Sequence, residues 1–199
     1  MDRTGSSDSH IYSSISALIE QCLLGDTEAF RQIVEQHQGY AFGLAFRLLG
    51  DSEEARDATQ ESFVRVWLHV GEYKPEFRFT TWLYKIVVNV AYDKLRSRKR
   101  RLQVMEYSSE REEVEAASGQ QPETLAVNRD LARHIRRLAG GLPPKQQMVF
   151  VLRDLQDQSI EEVGKILGMS IGAVKANLSY ARKWIREHME RLDSGGLKR

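Results

Sequence analysis

The most specific chemistry in this 199-residue chain lies between Leu155 and Arg186. Val174, Leu178, Ala181 and Ile185 recur as a helical apolar stripe. That stripe leaves Ser170, Gly172, Ala173, Lys175, Ala176, Asn177, Ser179, Tyr180, Arg182 and Lys183 facing outward. Lys and Arg contact phosphate or guanine, and Asn can pair bidentately with adenine. Ser170 caps the helix and leaves backbone N–H groups for a phosphate. Just before it, Ile160, Val163, Ile166 and Leu167 mark a shorter helix that Gly168 ends. Two short helices around a glycine turn make a helix-turn-helix, whose second helix enters the major groove. The same stretch spells Gly168-Met-Ser170-Ile-Gly172, a G-x-S-x-G string. A nucleophile elbow needs a preceding strand, a parallel sheet and a later His. Here a helix precedes, and the one later His is His188 in the same helical stretch, so hydrolase chemistry is set aside.

A second set places Tyr73, Phe77, Phe79 and Trp82 among Lys74, Arg78 and Thr80, with Lys85 one turn on. Unpaired bases stack on rings while their phosphates meet cations. Phe79 and Trp82 also suit a core; Tyr73, Phe77 and Arg78 are the candidates for exposure. The basic run Lys94–Arg101, with Arg96, Arg98 and Arg100, follows as a backbone clamp. A third set, Asp57, Gln60, Glu61 and Val64, points away from the Phe63/Trp67 stripe of its own helix. Such an acidic face is a solvated surface or the complement of a basic partner. The five His and Cys22 are scattered and read as structural or solvated. With no phosphate loop, paired metal ligands or nucleophile–base pair, the expectation is no enzyme, cofactor or metal.

Helices must position all three sets. Ile15 to Leu23, Asp26 to Leu49, Asp51 to Val70 and Thr80 or Thr81 to Arg101 carry apolar residues at 3.6-residue spacing. Gly25, Gly50 and the Gly71–Phe79 stretch separate them, and Asp26 and Asp51 cap two of them. The expected architecture is all-α: two small helical domains joined by a flexible acidic linker. Residues 1–14 read as a disordered leader, 15–102 as the first domain, 103–124 as the linker, 125–192 as the second domain and 193–199 as a tail. Lys and Arg number 29 against 28 Asp and Glu, which argues against a polybasic binder. A single Cys excludes an intrachain disulfide framework and suggests a reducing compartment. No apolar run approaches 18 residues, and the polar start is no secretory signal.

In order and spacing the motifs resemble the extracytoplasmic-function (ECF) sigma factors of bacteria, from about Ile15 to Leu192. They are Gly25-Asp-Thr-Glu-Ala-Phe30; Asp51-Ser-Glu-Glu-Ala with Asp57-Ala-Thr-Gln-Glu-Ser-Phe63 and Trp67; Phe79-Thr-Thr-Trp-Leu-Tyr-Lys-Ile86 with Asn89; Leu142-Pro-Pro-Lys; and Ser159-Ile-Glu-Glu-Val through Ala181-Arg-Lys. The resemblance implies a first domain of the sigma region 2 type and a second of the region 4 type. Asp57, Gln60, Glu61 and Val64 would then grip the clamp helices of the largest RNA polymerase subunit. Tyr73, Lys74, Phe77, Arg78, Phe79, Thr80, Trp82, Lys85, Asn89, Arg96, Arg98 and Arg100 would melt and read the minus-ten promoter element. The Ser170–Lys183 helix would read the minus-thirty-five element. Implied partners are RNA polymerase core, including the flap of its second-largest subunit, promoter DNA and an anti-sigma factor, in the cytoplasm without membrane insertion. Ala176-Asn177 and Tyr180 depart from the residues common at those positions. Two further readings stand beside this one: a stand-alone helix-turn-helix regulator binding closed duplex, and an anti-sigma or adaptor protein acting through protein contacts alone.

Overall fold

The structure, a computed structural model, describes residues 15–106 and 134–196. Among them every regular element is helical. The leader and residues 107–124 of the expected linker lie outside the described residues.

The first module holds α1 (15–23), α2 (Thr27–Leu49), α3 (Ser52–Leu68) and α4 (Phe79–Glu106). Its breaks follow local chemistry. Asp26 Oδ1 accepts from the N–H groups of Glu28 and Ala29 at 2.8 and 3.2 Å, and Asp51 Oδ1 accepts from Glu54 N–H at 2.8 Å. Each satisfies donors that the first helical turn leaves unpaired. Gly50 takes φ +76°, in the left-handed region that a Cβ disfavours, and so ends α2. Ile33, Leu44 and Leu48 of α2, Val66 of α3 and Leu83 and Val87 of α4 are fully buried where these helices pack. Ala55 and Ala58 let α3 approach closely. One expectation fails: neither Thr80 nor Thr81 caps α4, which already begins at Phe79. Arg78 carbonyl accepts from Thr81 and Trp82 N–H, so the turn closes one step earlier. The stretch read as loop from Gly71 also shares a single 3-10 turn, Val70–Glu72.

The second module holds α5 (134–140), α6 (Pro144–Phe150), a π-helical turn (Val151–Leu155), α7 (Ile160–Leu167) and α8 (Ile171–Gly196). Helix α8 thus includes residues 193–196, which composition assigned to the tail. Ser159 Oγ accepts from Glu162 N–H at 3.1 Å and Ser170 Oγ from Ala173 N–H at 3.2 Å, capping α7 and α8. Gly164 is required for closeness: a Cβ there would lie 2.9 Å from the Met169 carbonyl oxygen. Val163, Ile166, Val174 and Leu178 fill the angle between α7 and α8, and Ala139, Leu142, Phe150, Ala181 and Ile185 seal the far end.

The two modules touch. Met148, Val149, Val151 and Leu152 join the same apolar core as α2, α3 and α4. Gln147, only 3% exposed, donates from Nε2 to the Leu48 carbonyl at 2.8 Å. Thr81 Oγ1 donates to Glu162 Oε2 at 2.6 Å.

The glycine geometry gives a paired expectation. Gly164→Ala should lower stability by about 1–3 kcal/mol, because backbone must move to admit the methyl. Gly172→Ala, with open space at its Cβ position, should be neutral or gain up to about 1 kcal/mol of helix propensity. Urea melts of the two variants check both.

Candidate nucleic-acid and protein interfaces

Helix α3 presents Asp57, Gln60 and Val64 to solvent, and Val64 is 52% exposed. Glu61, half-buried, accepts from Arg65 Nη2 at 2.6 Å one turn on. Beside this face runs an open apolar groove of about 920 Å³ between α2 and α3. Phe30, Val34, Phe42 and Trp67 line it with Gln60 and Val64. The Phe30 and Trp67 rings stand 4.9 Å apart. Phe30, Val34 and Trp67 are apolar residues at helical spacing, yet they are only half-buried. Phe42 went unnoticed. The signal available was its aromatic spacing with Phe46, four residues on in α2, since the two rings stack at 6.0 Å.

The 73–100 stretch sorts itself into framework and surface. Tyr73 is buried, contrary to the expected exposure. Its ring packs 5.8 Å from Phe79 and 5.5 Å from Trp82, and its hydroxyl donates to the Phe77 carbonyl at 2.7 Å. A Tyr can enter a core when its O–H finds such an acceptor. Phe79 is 2% exposed and Trp82 half-buried. Phe77, 45% exposed, is the ring held outward. Lys74, Arg78, Thr80, Lys85, Asn89, Arg96 and Arg100 are exposed. From Lys85 onward these residues follow i+4, i+7 and i+4 steps, one stripe of α4. Arg98 does not join them. Half-buried, it reaches the Leu49 carbonyl at 3.4 Å and Glu54 Oε2 at 3.6 Å.

His37 touches Phe79 edge-on, and its Nδ1 lies 2.9 Å from the Ile33 carbonyl oxygen. Burial pulls its pKa below the usual imidazole value against that hydrogen bond. Burial, helped by Asp26, pushes the Cys22 thiol up and away from the reactive thiolate. Both groups act as packing.

In the helix-turn-helix, Ser170, Gly172, Lys175, Ala176, Ser179, Tyr180, Arg182 and Lys183 are exposed, and Ala173 and Asn177 half-buried. Asn177 spends one amide hydrogen on the Ala173 carbonyl at 2.8 Å, so its amide is held along the helix. Ser170 is a helix cap between two helices, not a nucleophile elbow. Lys175, Ser179, Arg182, Lys183 and Arg186 surround a shallow concavity of about 460 Å³ floored by Ile160 and Leu178. Arg186 extends the basic surface one turn beyond the stretch that sequence assigned to DNA. Asp154, also unforeseen, comes from the π-helical turn. It accepts from Arg182 Nε and Nη2 at 2.8 and 2.7 Å, which raises the guanidinium pKa and fixes its plane. The bidentate pair uses the two-donor fork of arginine and leaves Nη1 outside it. No sequence spacing links residues 28 apart.

Sequence comparison agrees with this geometry in both halves. Residues 33–101 match the family model described as Sigma-70 region 2, and residues 132–185 that described as Sigma-70, region 4. The ECF RNA polymerase sigma factor SigW of Bacillus subtilis (strain 168) is 30% identical over 183 residues, 89% of this chain and 98% of the relative. The chain belongs to the ECF sigma factors of the sigma-70 family. It is therefore a transcription initiation factor whose partners are RNA polymerase core and promoter DNA. Among solved structures, CnrH in complex with the cytosolic domain of CnrY is 25% identical with a TM-score of 0.62, covering 89% of this sigma factor and 98% of CnrH. The sigma factor RpoE from Bartonella quintana, solved with the anti-sigma factor NepR, shares the fold at 22% identity and a TM-score of 0.64, covering 85% and 98%. Among the described residues of the sigma factor, no helix is long and apolar enough to cross a membrane.

Arg186 belongs to the basic concavity, so Arg186→Ala should flatten the salt dependence of duplex binding. The slope of log affinity against log salt should fall by about 1, as for Lys183→Ala. Tyr180→Ala should leave the slope unchanged. Fluorescence anisotropy of a labelled upstream promoter duplex across a salt series measures all three.

Proposed function

We propose that this sigma factor assigns separate faces to separate partners and does no catalysis of its own. Asp57, Gln60, Glu61, Val64 and the adjoining groove receive the clamp helices of the largest polymerase subunit. Phe77 takes an unpaired base of the minus-ten element, while Lys74, Arg78, Thr80, Lys85, Asn89, Arg96 and Arg100 follow its backbone. Tyr73, Phe79 and Trp82 hold that segment in shape. Helix α8, from Ser170 to Lys183, enters the major groove at the minus-thirty-five element, and the second module also meets the flap of the second-largest subunit. On this reading residues 15–102 form region 2, 103–124 the connector and 125–192 region 4, acting in the cytoplasm. An anti-sigma factor controls it; the complexes of CnrH with CnrY and of RpoE with NepR support that partner class.

The observation that carries the proposal is the segregation of exposed side chains. One helix face is acidic and apolar, and one stripe of α4 and one of α8 are basic, with a single aromatic ring held out beside the α4 stripe. Opposite charge suits opposite partners.

Transcription by core polymerase with the purified chain tests it. Native protein should give promoter-specific transcripts from at least one genomic fragment. Val64→Asp, which puts a charge on the apolar rim, should weaken core binding about tenfold or more. Phe77→Ala should bind core normally but destabilise the open complex by about 1–3 kcal/mol, the worth of one stacked base. Absence of any specific transcript, or an open complex indifferent to Phe77→Ala, contradicts the assignment.

A further inference from the structure

One cation of the helix-turn-helix is held in place from outside its own helix. On α8, Lys175, Ser179, Arg182 and Arg186 follow i+4, i+3 and i+4 steps and share one exposed stripe along the basic concavity. Lys183, beside Arg182, reaches only Glu187 on the same helix, at 3.9 Å, with both side chains open to solvent. Such a pair restrains little. Arg182 is gripped across the module instead. Asp154 Oδ2 accepts from its Nε at 2.8 Å and Oδ1 from its Nη2 at 2.7 Å. Two parallel bonds between planar groups fix both the distance and the direction of the guanidinium.

The pair has a front and a back. The Asp154 side chain is 20% exposed and that of Arg182 49%. Arg182 belongs to the residues around the concavity, and Asp154 lies outside them. The carboxylate therefore stands behind and the cation in front. The preceding residue, Arg153, does not compete for Asp154, because its Nη1 donates to Asp157 Oδ1 at 3.1 Å. Both oxygens of Asp154 are committed to α8.

Placement along α8 says what Arg182 meets. It lies twelve residues beyond the Ser170 cap, about 18 Å of helix. Recognition helices read base edges with their early residues. A cation three turns farther on meets the sugar–phosphate backbone, which positions the protein without reading sequence. An unrestrained arginine loses much rotamer freedom when it grips a phosphate. Held by Asp154, Arg182 has already given up that freedom in the free chain, so binding no longer costs it. Charge acts the other way. A carboxylate near a DNA-binding face repels phosphate, and removing it strengthens binding if charge alone matters. The two effects have opposite signs, so one substitution separates them.

We infer that Asp154 is a positioning residue for duplex binding by α8: it holds the Arg182 guanidinium ready to clamp a backbone phosphate, and so strengthens DNA binding although it is acidic. This rests on the assignment of α8 to DNA given under Proposed function.

Fluorescence anisotropy of the full chain at low salt tests it, with a labelled mixed-sequence duplex of about 30 base pairs, three helical turns. No promoter or polymerase is needed, because a phosphate clamp is indifferent to sequence. Asp154→Ala should weaken binding about fivefold, the worth of one pre-ordered long side chain, although it adds a net positive charge. Asp154→Asn, which keeps one acceptor oxygen, should fall between Asp154→Ala and native. In an Arg182→Ala background, Asp154→Ala should cause no loss, since the group it positions is gone. Tighter binding by Asp154→Ala overturns the inference. So does an equal loss with and without Arg182, which would make Asp154 a packing residue of the module. Lys175→Ala reads the assignment of α8 separately. If it too leaves binding unweakened, that assignment falls and the inference with it; if it weakens binding while Asp154→Ala tightens it, the inference alone falls.

Discussion

Helix α2 carries Ile33, Leu44 and Leu48, each at most 2% exposed, along the sides where α3, α4 and the π-helical turn pack. Full burial of each such side chain is worth about 1.5–3 kcal/mol, so this helix is the spine to which the rest is referenced. Helices α3 and α4 pack against α2 and against each other, and each keeps an outer side exposed. Those outer stripes face solvent. Glycine and aspartate at the two ends of α2 set where the neighbouring helices leave it, and hence where those outer stripes face.

The surface stripes differ in chemistry. The α3 stripe joins carboxylates to an apolar groove, which suits helices presented by a protein. The α4 and α8 stripes are cationic and open, which suits a polyanion. A net charge of +1 therefore describes no single surface of the molecule. The intramolecular contact exploits the same electrostatics. A helix-turn-helix carboxylate, Glu162, accepts from the Thr81 hydroxyl at the edge where the two modules meet.

Much of this was legible in the residues. Alternating glycines, caps at Asp26, Asp51, Ser159 and Ser170, and 3.6-residue stripes locate the helices, because each is a local interaction within four residues. The outward side of α3 and the cationic stripes followed from the same periodicity. Tyr73 did not, because its burial depends on a carbonyl four residues away in an irregular segment. Phe30, Val34 and Trp67 were apolar and periodic, and periodicity cannot tell a core position from the wall of an open groove. Asp154 with Arg182, and Glu162 with Thr81, join residues 28 and 81 apart through tertiary packing, which no local pattern encodes. Arg98 looked like its neighbours in the basic run until the corner between α2 and α3 claimed it.

Site-specific photocrosslinking in the polymerase–promoter complex examines the division of faces most directly. A photoreactive phenylalanine analogue is placed in turn at Val64, Phe77 and Tyr180. From Val64 the crosslink should go to the largest polymerase subunit, from Phe77 to the unpaired strand near the start site, and from Tyr180 to duplex farther upstream. Crosslinks from Val64 to DNA, or from Phe77 to protein alone, would contradict the division of surfaces between polymerase and promoter.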